Sequence, residues 1–217
     1  MCFKFPYQIA LILLLAISSC SFLSKNSPKP HVVYERNDLK NQVQYLVIFP
    51  VSDFSGKSDN NTKSLDISIQ SGFANIYGSK NTIPGAGIIV KELADLMNKE
   101  VYKTFISTLD SVSAIEQLVE NPKFKNFISK SMDKLSKSTG GKSDVHFALA
   151  LLSGGEANYD SGESVYLHLG LFDVKALTWK LITKIEINKN NSLVGNWKVD
   201  SGLAIQNSFK FFKETNK

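Results

Sequence analysis

Apolar side chains recur at every third or fourth position in several stretches of the chain, and this spacing is typical of amphipathic helices. It is clearest in 87–105, where Ile89, Leu93 and Met97 follow one another at intervals of four. Charged side chains lie between them, so one face of the predicted helix is apolar and the other is polar. Three further helices are predicted at 123–137, after a capping box of Ser113 and Glu116, and after a cap at Asp200 or Ser201.

Other stretches are apolar at alternate positions or throughout, which is the pattern of β-strands. The stretch 43–56 is apolar on both faces, as in a central strand, and Pro50 is expected to end its pairing. In 177–187 most apolar residues share one face, which predicts an antiparallel meander with one buried and one solvated face. The remaining strands are predicted at 105–110, 144–152 and 163–174. Residues 57–85 alternate only weakly, which favours an inserted hairpin at the edge of the sheet.

The most apolar run of the chain, from Ile9 to Ile17, is too short to cross a membrane, because a spanning helix needs about 20 apolar residues. With Lys4 before it and small residues after it, the run predicts a signal peptide. The four residues that end in Cys20 resemble the lipobox of bacterial lipoproteins, which implies cleavage before Cys20 and lipid on its thiol. A cleaved soluble signal peptide and an unprocessed anchor are the alternatives. The predicted organisation is a signal peptide at 1–19, a lipidated tether at 20–42, and a single α/β domain at 43–217 with an insert at about 57–85.

Composition and charge narrow the classes of partner. The 217 residues are 43% hydrophobic, which is enough for a core, and they carry a formal charge of +5. The lysines within 123–142 form no aromatic-rich basic motif of a nucleic-acid binder, so no nucleic acid is expected as a partner. They are interpreted as the solvated face of a helix, with contact to an anionic envelope surface as the alternative.

Cysteine and histidine usage predicts neither a disulfide nor a metal site. Removal of 1–19 would remove Cys2, and lipid would occupy Cys20, so no thiol would remain for a disulfide or a metal. Asp160 and Glu163 are interpreted as part of a turn, with a weak cation site as the alternative. The three histidines are not at metal-ligand spacing from one another: His31, His146 and His168. We predict no metal and no cofactor.

No familiar catalytic motif is complete in the sequence. The stretch 138–144 resembles a phosphate loop, but Ser136 stands where the pattern requires glycine and a predicted helix precedes it, so no nucleotide is expected. The nucleophile elbow G-x-S-x-G does not occur. His168 could serve an envelope hydrolase together with a serine or Asp173, but a histidine packed in a strand is the preferred interpretation. The protein is predicted not to be an enzyme and to have no catalytic residue.

Four segments carry motifs in an order that resembles a known family. They are Phe49–Gly56 (FPVSDFSG), Ile115–Leu118, Asp144–Gly154, and Asp173–Lys175 with Trp179. Together they resemble the curli-secretion lipoproteins (the CsgG-like group) and the N-terminal domain of the translocation protein TolB. Departures are the length of 57–85, Lys142-Ser143 in place of Gly-Ala, and no arginine after 105–110.

The resemblance implies an α/β fold in which a mixed, largely antiparallel sheet carries helices on one face. Members of this group assemble with envelope proteins, form rings or activate wall synthases. After the predicted cleavage, the chain is expected to be too short for the two membrane hairpins of a curli-type pore.

The function expected from these features is non-catalytic. We expect a lipid-anchored envelope protein that acts through protein–protein contacts or oligomerisation in secretion or envelope assembly. An envelope hydrolase and a surface-exposed adhesin or antigen are the alternatives. Ser21 follows the lipidation site where an aspartate would favour the inner membrane, so the outer membrane is expected, with the domain in the periplasm or at the cell surface. The segment 57–85 is expected either to mediate self-association or partner binding, or to pack on its own domain as an extra hairpin.

Overall fold

The computed structural model describes residues 31–35, 45–53, 60–192 and 194–215. The predicted signal peptide and Cys20 lie outside these residues. Among the residues that are described, no helix is long and apolar enough to cross a membrane.

Six strands form one mixed sheet. They are β1 (His31–Glu35), β2 (Tyr45–Ile48), β3 (Thr82–Ile83), β4 (Val145–Ser153), β5 (Val165–Asp173) and β6 (Thr178–Ile187). Their order across the sheet is β1-β6-β5-β4-β2-β3. The pairs β1–β6, β6–β5 and β5–β4 are antiparallel, whereas β4–β2 and β2–β3 are parallel. The predicted α/β class with a mixed, largely antiparallel sheet is therefore confirmed, and β1 adds an edge strand from within the predicted tether.

Seven α-helices accompany the sheet within the described residues. They are α1 (Asn60–Tyr77), α2 (Val90–Met97), α3 (Glu100–Ser107), α4 (Ala114–Val119), α5 (Pro122–Thr139), α6 (Glu156–Ser161) and α7 (Trp197–Thr215). Single turns of other helix types lie at Ser79–Asn81, Gly85–Ile89 and Lys189–Asn191. The start of α5 is capped by the Asn121 side chain, which accepts from the Lys123 amide at 2.9 Å, and Pro122 occupies the first helical position.

Helices cover both faces of the sheet, and the expectation of helices on one face is wrong. One core contains Val47 and Phe147 of the central strands, with the apolar faces of α2, α3, α4 and α5. The other contains their neighbours Leu46 and Ala148, with the apolar faces of α1 and α7. Because β2 and β4 are apolar at successive positions, both of their faces must be covered. The face of β6 that was predicted to be solvated is also covered, since Ile182 is buried in the first core.

The inserted hairpin predicted within 57–85 is also wrong, because residues 60–77 form α1. Leu65, Ile69 and Phe73 follow at intervals of four, and all three are buried against the sheet. Ile67, which created the apparent alternation, points away from this core and is 74% exposed. The helical period is therefore the one that determines burial, and α1 is part of the domain core.

The stretch 87–110 is helical over most of its length, but it is divided. The single helix predicted at 87–105 begins as a wide turn at Gly85–Ile89 and breaks after Met97 into α2 and α3. The strand predicted at 105–110 is wrong, because Phe105 and Ile106 complete the last turn of α3. Both side chains are fully buried. Their tertiary packing therefore outweighs the preference of phenylalanine and isoleucine for strands.

Two of the predicted helix caps are absent. Ser113 lies in helical conformation and makes no side-chain cap hydrogen bond, so the capping box with Glu116 does not form. Asp200 and Ser201 lie inside α7 because that helix begins at Trp197. Their side chains are buried.

Candidate functional site

An open groove runs between α1 and α7 on the outer surface of the second core. Its volume is about 530 Å³. The lining side chains include Ile67, Ser71 and Ile76 from α1, and Ile205, Phe209 and Lys210 from α7. The groove combines an apolar floor with small polar walls.

The shape of the groove depends on the close approach of the two helices at Gly72. A methyl group at this position would lie 2.1 Å from Cδ2 of Phe209, so only glycine leaves room for that ring. The Phe209 ring also packs edge-on against Phe73, with 4.7 Å between ring centroids. The floor is therefore continuous with the core, whereas Ile67 lies exposed at the rim.

The described lining of the groove contains no histidine, cysteine or carboxylate side chain. Its polar wall residues are serines, Asn75 and Gln206, and its charged lining residue in the described part of the chain is Lys210. An exposed isoleucine beside an apolar floor favours an apolar partner surface.

The structure places His168 away from the groove, on the opposite face of the sheet. Its side chain is 2% exposed, and Nε2 lies 3.3 Å from Oδ1 of Asp110, at the turn after α3. Burial lowers the pKa of His168 to about 4, although Asp110 opposes the shift. The carboxylate partner is therefore Asp110, whereas the hydrolase hypothesis named a serine or Asp173. Such a buried imidazole is not positioned to meet a substrate.

A second buried cluster joins His146, Asp173 and Lys180, and sequence reasoning missed it. Lys180 Nζ and His146 Nε2 lie 3.5 Å and 3.8 Å from Asp173 Oδ2. Asp173 Oδ1 accepts from the backbone amides of Lys175 and Ala176, both at 2.9 Å, and so holds the turn between β5 and β6. Burial lowers the pKa of His146.

This cluster had a weak signal in the sequence, which was an aspartate at the start of a tight turn. The irregularity in register between Leu171 and Phe172, which brings Lys180 to the same face, carries no sequence signal of its own. The cluster is best explained as a support for the turn.

Buried polar contacts also fix both ends of the second core. The Asp66 carboxylate accepts from the Val51 amide at 2.8 Å, and burial raises its pKa. The Tyr159 hydroxyl donates to Asp200. Burial, and to a smaller extent the hydrogen bond to this carboxylate, raise the pKa of Tyr159 to about 12. These contacts join α1 to the segment that follows β2, and α6 to α7, so their role is structural.

The remaining sequence candidates lie in turns or at the surface. The stretch 138–144 connects α5 to β4 through glycines with positive φ, and Lys142 Nζ lies 4.4 Å from the centre of the Tyr45 ring. Asp160 lies in α6 and pairs with Lys189 at 3.6 Å, and Glu163 accepts from Asn158 at 2.7 Å. Within the described ranges, no group of three histidine, cysteine, aspartate or glutamate side chains is placed to hold a metal ion.

Comparison with known proteins gives distant structural matches and no sequence match. No protein-family model matches the chain, and no curated protein does. A PelC dodecamer structure from Paraburkholderia phytofirmans is similar at 8% identity and a TM-score of 0.42, over 87% of this chain and 97% of that one. A dodecamer of a PelC point variant from the same organism is similar at 8% identity and a TM-score of 0.35, over 83% and 94%. Similarity at this level carries no argument about function or assembly.

Proposed function

We propose that the protein is a lipid-anchored envelope protein that acts without catalysis, through protein–protein contacts or self-association in secretion or envelope assembly. The observation that carries the proposal is the groove between α1 and α7, with Ile67 74% exposed at its rim. Removing a large aliphatic side chain from water is favourable. Because Ile67 lies beside an apolar floor, a partner surface could bury both together.

The anchoring part of the proposal rests on the sequence around Cys20. A short apolar run, small residues and a cysteine are what lipoprotein processing requires, and two or three acyl chains would hold the domain at a membrane. The absence of aspartate after Cys20 supports the outer membrane. The resemblance to curli-secretion and TolB-like proteins supports the same class of function without naming a partner.

Replacing Cys20 with alanine tests the anchor. We expect the wild-type chain to incorporate radiolabelled palmitate and to remain with the membrane fraction after a high-salt wash. The Cys20→Ala chain should lose the label, because the acyl acceptor is gone. Cys2→Ala is the matched control and should keep the label, since Cys2 precedes the cleavage site. Full membrane retention of Cys20→Ala, with no label in either chain, would refute lipid anchoring.

Replacing Ile67 with lysine tests the groove. A photoreactive amino acid at Asn75, inside the groove, is expected to crosslink to a neighbouring protein in intact cells. Ile67→Lys should abolish these crosslinks because a charge at the rim opposes apolar contact. The change in the free energy of unfolding should stay within about 0.5 kcal/mol, as for other exposed positions.

Val199→Lys is the matched control. Val199, in α7, is an exposed aliphatic residue like Ile67, but it does not line the groove. It should leave the crosslinks unchanged. A product of twice the protein's mass indicates self-association, and another mass indicates a different partner. Crosslinks that survive Ile67→Lys, or that are lost equally in Val199→Lys, exclude the groove as the contact surface. Protease treatment of intact cells separates a periplasmic factor from a surface adhesin.

A further inference from the structure

We propose that α5 carries a second contact surface, a lysine face that binds the anionic surface of a bilayer. This inference rests on the proposed lipid anchor. The face is formed by Lys123, Lys130 and Lys137, which are exposed and spaced by seven residues. Seven residues are close to two helical turns, so these side chains form one row with about 10 Å between neighbours.

The core of the domain fixes the direction in which this row faces. Phe124, Ile128 and Leu135 on the inner face of α5 are buried. Phe124 packs against Phe105 and Phe172, with ring centroids 5.1 Å and 6.1 Å apart. Because these contacts prevent α5 from rotating, the lysine row is held on the outer surface of the domain.

No carboxylate forms an ion pair with the row in the described part of the chain, although Asp133 lies beside it, three residues after Lys130 and four before Lys137. The other two lysines of α5 have acidic partners, since Lys125 lies 3.5 Å from Glu120 and Lys134 lies 3.8 Å from Asp95. Among the described residues, no ion pair joins Lys123, Lys130 or Lys137 to a carboxylate. Asp133 is the one acidic residue of α5, against five lysines. The helix therefore presents net positive charge to a partner.

The position of the proposed anchor favours a bilayer over a partner that diffuses freely. Only ten residues separate Cys20 from His31, the first residue of β1. Even fully extended, this stretch spans at most about 40 Å. The domain would therefore stay close to the membrane surface, where its effective concentration is high and weak electrostatic attraction suffices.

The test compares lysine accessibility on two kinds of vesicle. Full-length lipoprotein is added to preformed vesicles of phosphatidylcholine alone, or of phosphatidylcholine and phosphatidylglycerol at 7:3. A membrane-impermeant reagent acetylates the exposed lysines, and mass spectrometry gives the rate at each site. We expect Lys123, Lys130 and Lys137 to react about threefold or more slowly on the anionic vesicles, because polybasic surfaces are held at such membranes.

Two controls isolate the contribution of the lysine row. Lys63 and Lys198 lie on α1 and α7, across the sheet from α5, and report any general effect of the anionic surface on acetylation. Their rates should be similar on both kinds of vesicle. In 1 M salt the protection of the row should disappear, since the screening length falls to about 3 Å.

A charge-removal variant gives a second readout. Lys134 lies four residues after Lys130 and therefore beside the row, so it should also react more slowly on the anionic vesicles. The variant K123Q/K130Q/K137Q should abolish that difference. The matched variant K63Q/K80Q/K198Q removes the same charge from exposed positions outside α5 and should preserve it.

The outcomes separate this inference from the proposed anchor. Failure of the chain to float with phosphatidylcholine vesicles contradicts the anchor itself. Flotation with both kinds of vesicle, but equal rates for the lysine row, overturns the inference and leaves the anchor intact. Protection by soluble polyphosphate but not by anionic vesicles also overturns it, in favour of a soluble anionic polymer.

Discussion

Phe105→Ala is expected to lower the free energy of unfolding by about 3–5 kcal/mol, the cost of removing a large buried aromatic side chain. Phe105 is fully buried at the end of α3. Its ring lies 5.1 Å from that of Phe124, 4.9 Å from Phe172 and 5.5 Å from Trp179, measured between centroids. It therefore joins α3 and α5 to β5 and β6. Alanine would leave a cavity at this junction, and the neighbouring rings are too constrained to fill it.

Urea unfolding of the full chain in a mild non-ionic detergent, followed by circular dichroism, measures this effect. Phe105→Leu should cost clearly less than Phe105→Ala, because leucine keeps most of the buried volume. Ile67→Ala is the matched control at an exposed apolar position and should change stability by about 0.5 kcal/mol at most. A cost below about 1 kcal/mol for Phe105→Ala would contradict the packing described for the first core.

The sequence predicts the regular elements where burial and periodicity agree. The strands at 144–152, 163–174 and 177–187 and the helix at 123–137 lie within two residues of their observed bounds. The helix follows the helical period, and the strands are short apolar stretches bounded by turn residues. Local pattern and tertiary packing act in the same direction there, so the sequence suffices.

The error in 57–85 occurs because two periods fit the same residues. Leu65, Ile67 and Ile69 alternate as in a strand, but Leu65 and Ile69 also fit a helical face that continues to Phe73. Only the position of α1 against β2 and β3 decides between them. A deletion of 60–83 would not test an interface, because it would also remove three buried residues of the second core. Ile67→Lys changes only an exposed side chain and is therefore the sharper test.

The candidate site is accessible from the sequence only in part. The segment 57–85 has more apolar residues than a solvated loop needs, which indicates that it makes contacts. In the structure some of these residues are buried in the second core and others line the groove. The other wall of the groove comes from α7, more than one hundred residues later in the chain. No local pattern predicts that pairing, and the space at Gly72 for the Phe209 ring is visible only after folding.

Acidification from pH 7 to pH 4 is expected to destabilise the protein, and His168 is expected to account for about 3 kcal/mol of the loss. Burial lowers the pKa of His168 to about 4 in the folded protein. The ordinary value of about 6.5 applies in the unfolded chain. Between these values the unfolded chain binds the proton more tightly, so the free energy of unfolding falls as the pH falls. The contribution is fully present above pH 6.5 and is lost progressively towards pH 4.

The charged groups that face His168 determine the size of this effect. Asp110 favours the imidazolium, but it is half exposed, so water weakens its attraction. Lys184, on the neighbouring strand, disfavours it. His146 contributes in the same direction, because burial lowers its pKa as well. Asp66 contributes in the opposite direction, because its raised pKa favours proton uptake by the folded state.

His168→Gln isolates the contribution of this residue, since glutamine is polar but does not titrate. Urea unfolding of the full chain at pH 7 and pH 4.5 gives four free energies of unfolding. The wild-type loss between the two pH values should exceed the loss in His168→Gln by about 2–3 kcal/mol. His146→Gln is the parallel variant and keeps His168 in place, so most of the pH dependence should remain in it. Equal losses in the wild type and His168→Gln would mean that His168 has the same pKa in the folded and unfolded states. That result would contradict the burial of His168, whose side chain is 2% exposed.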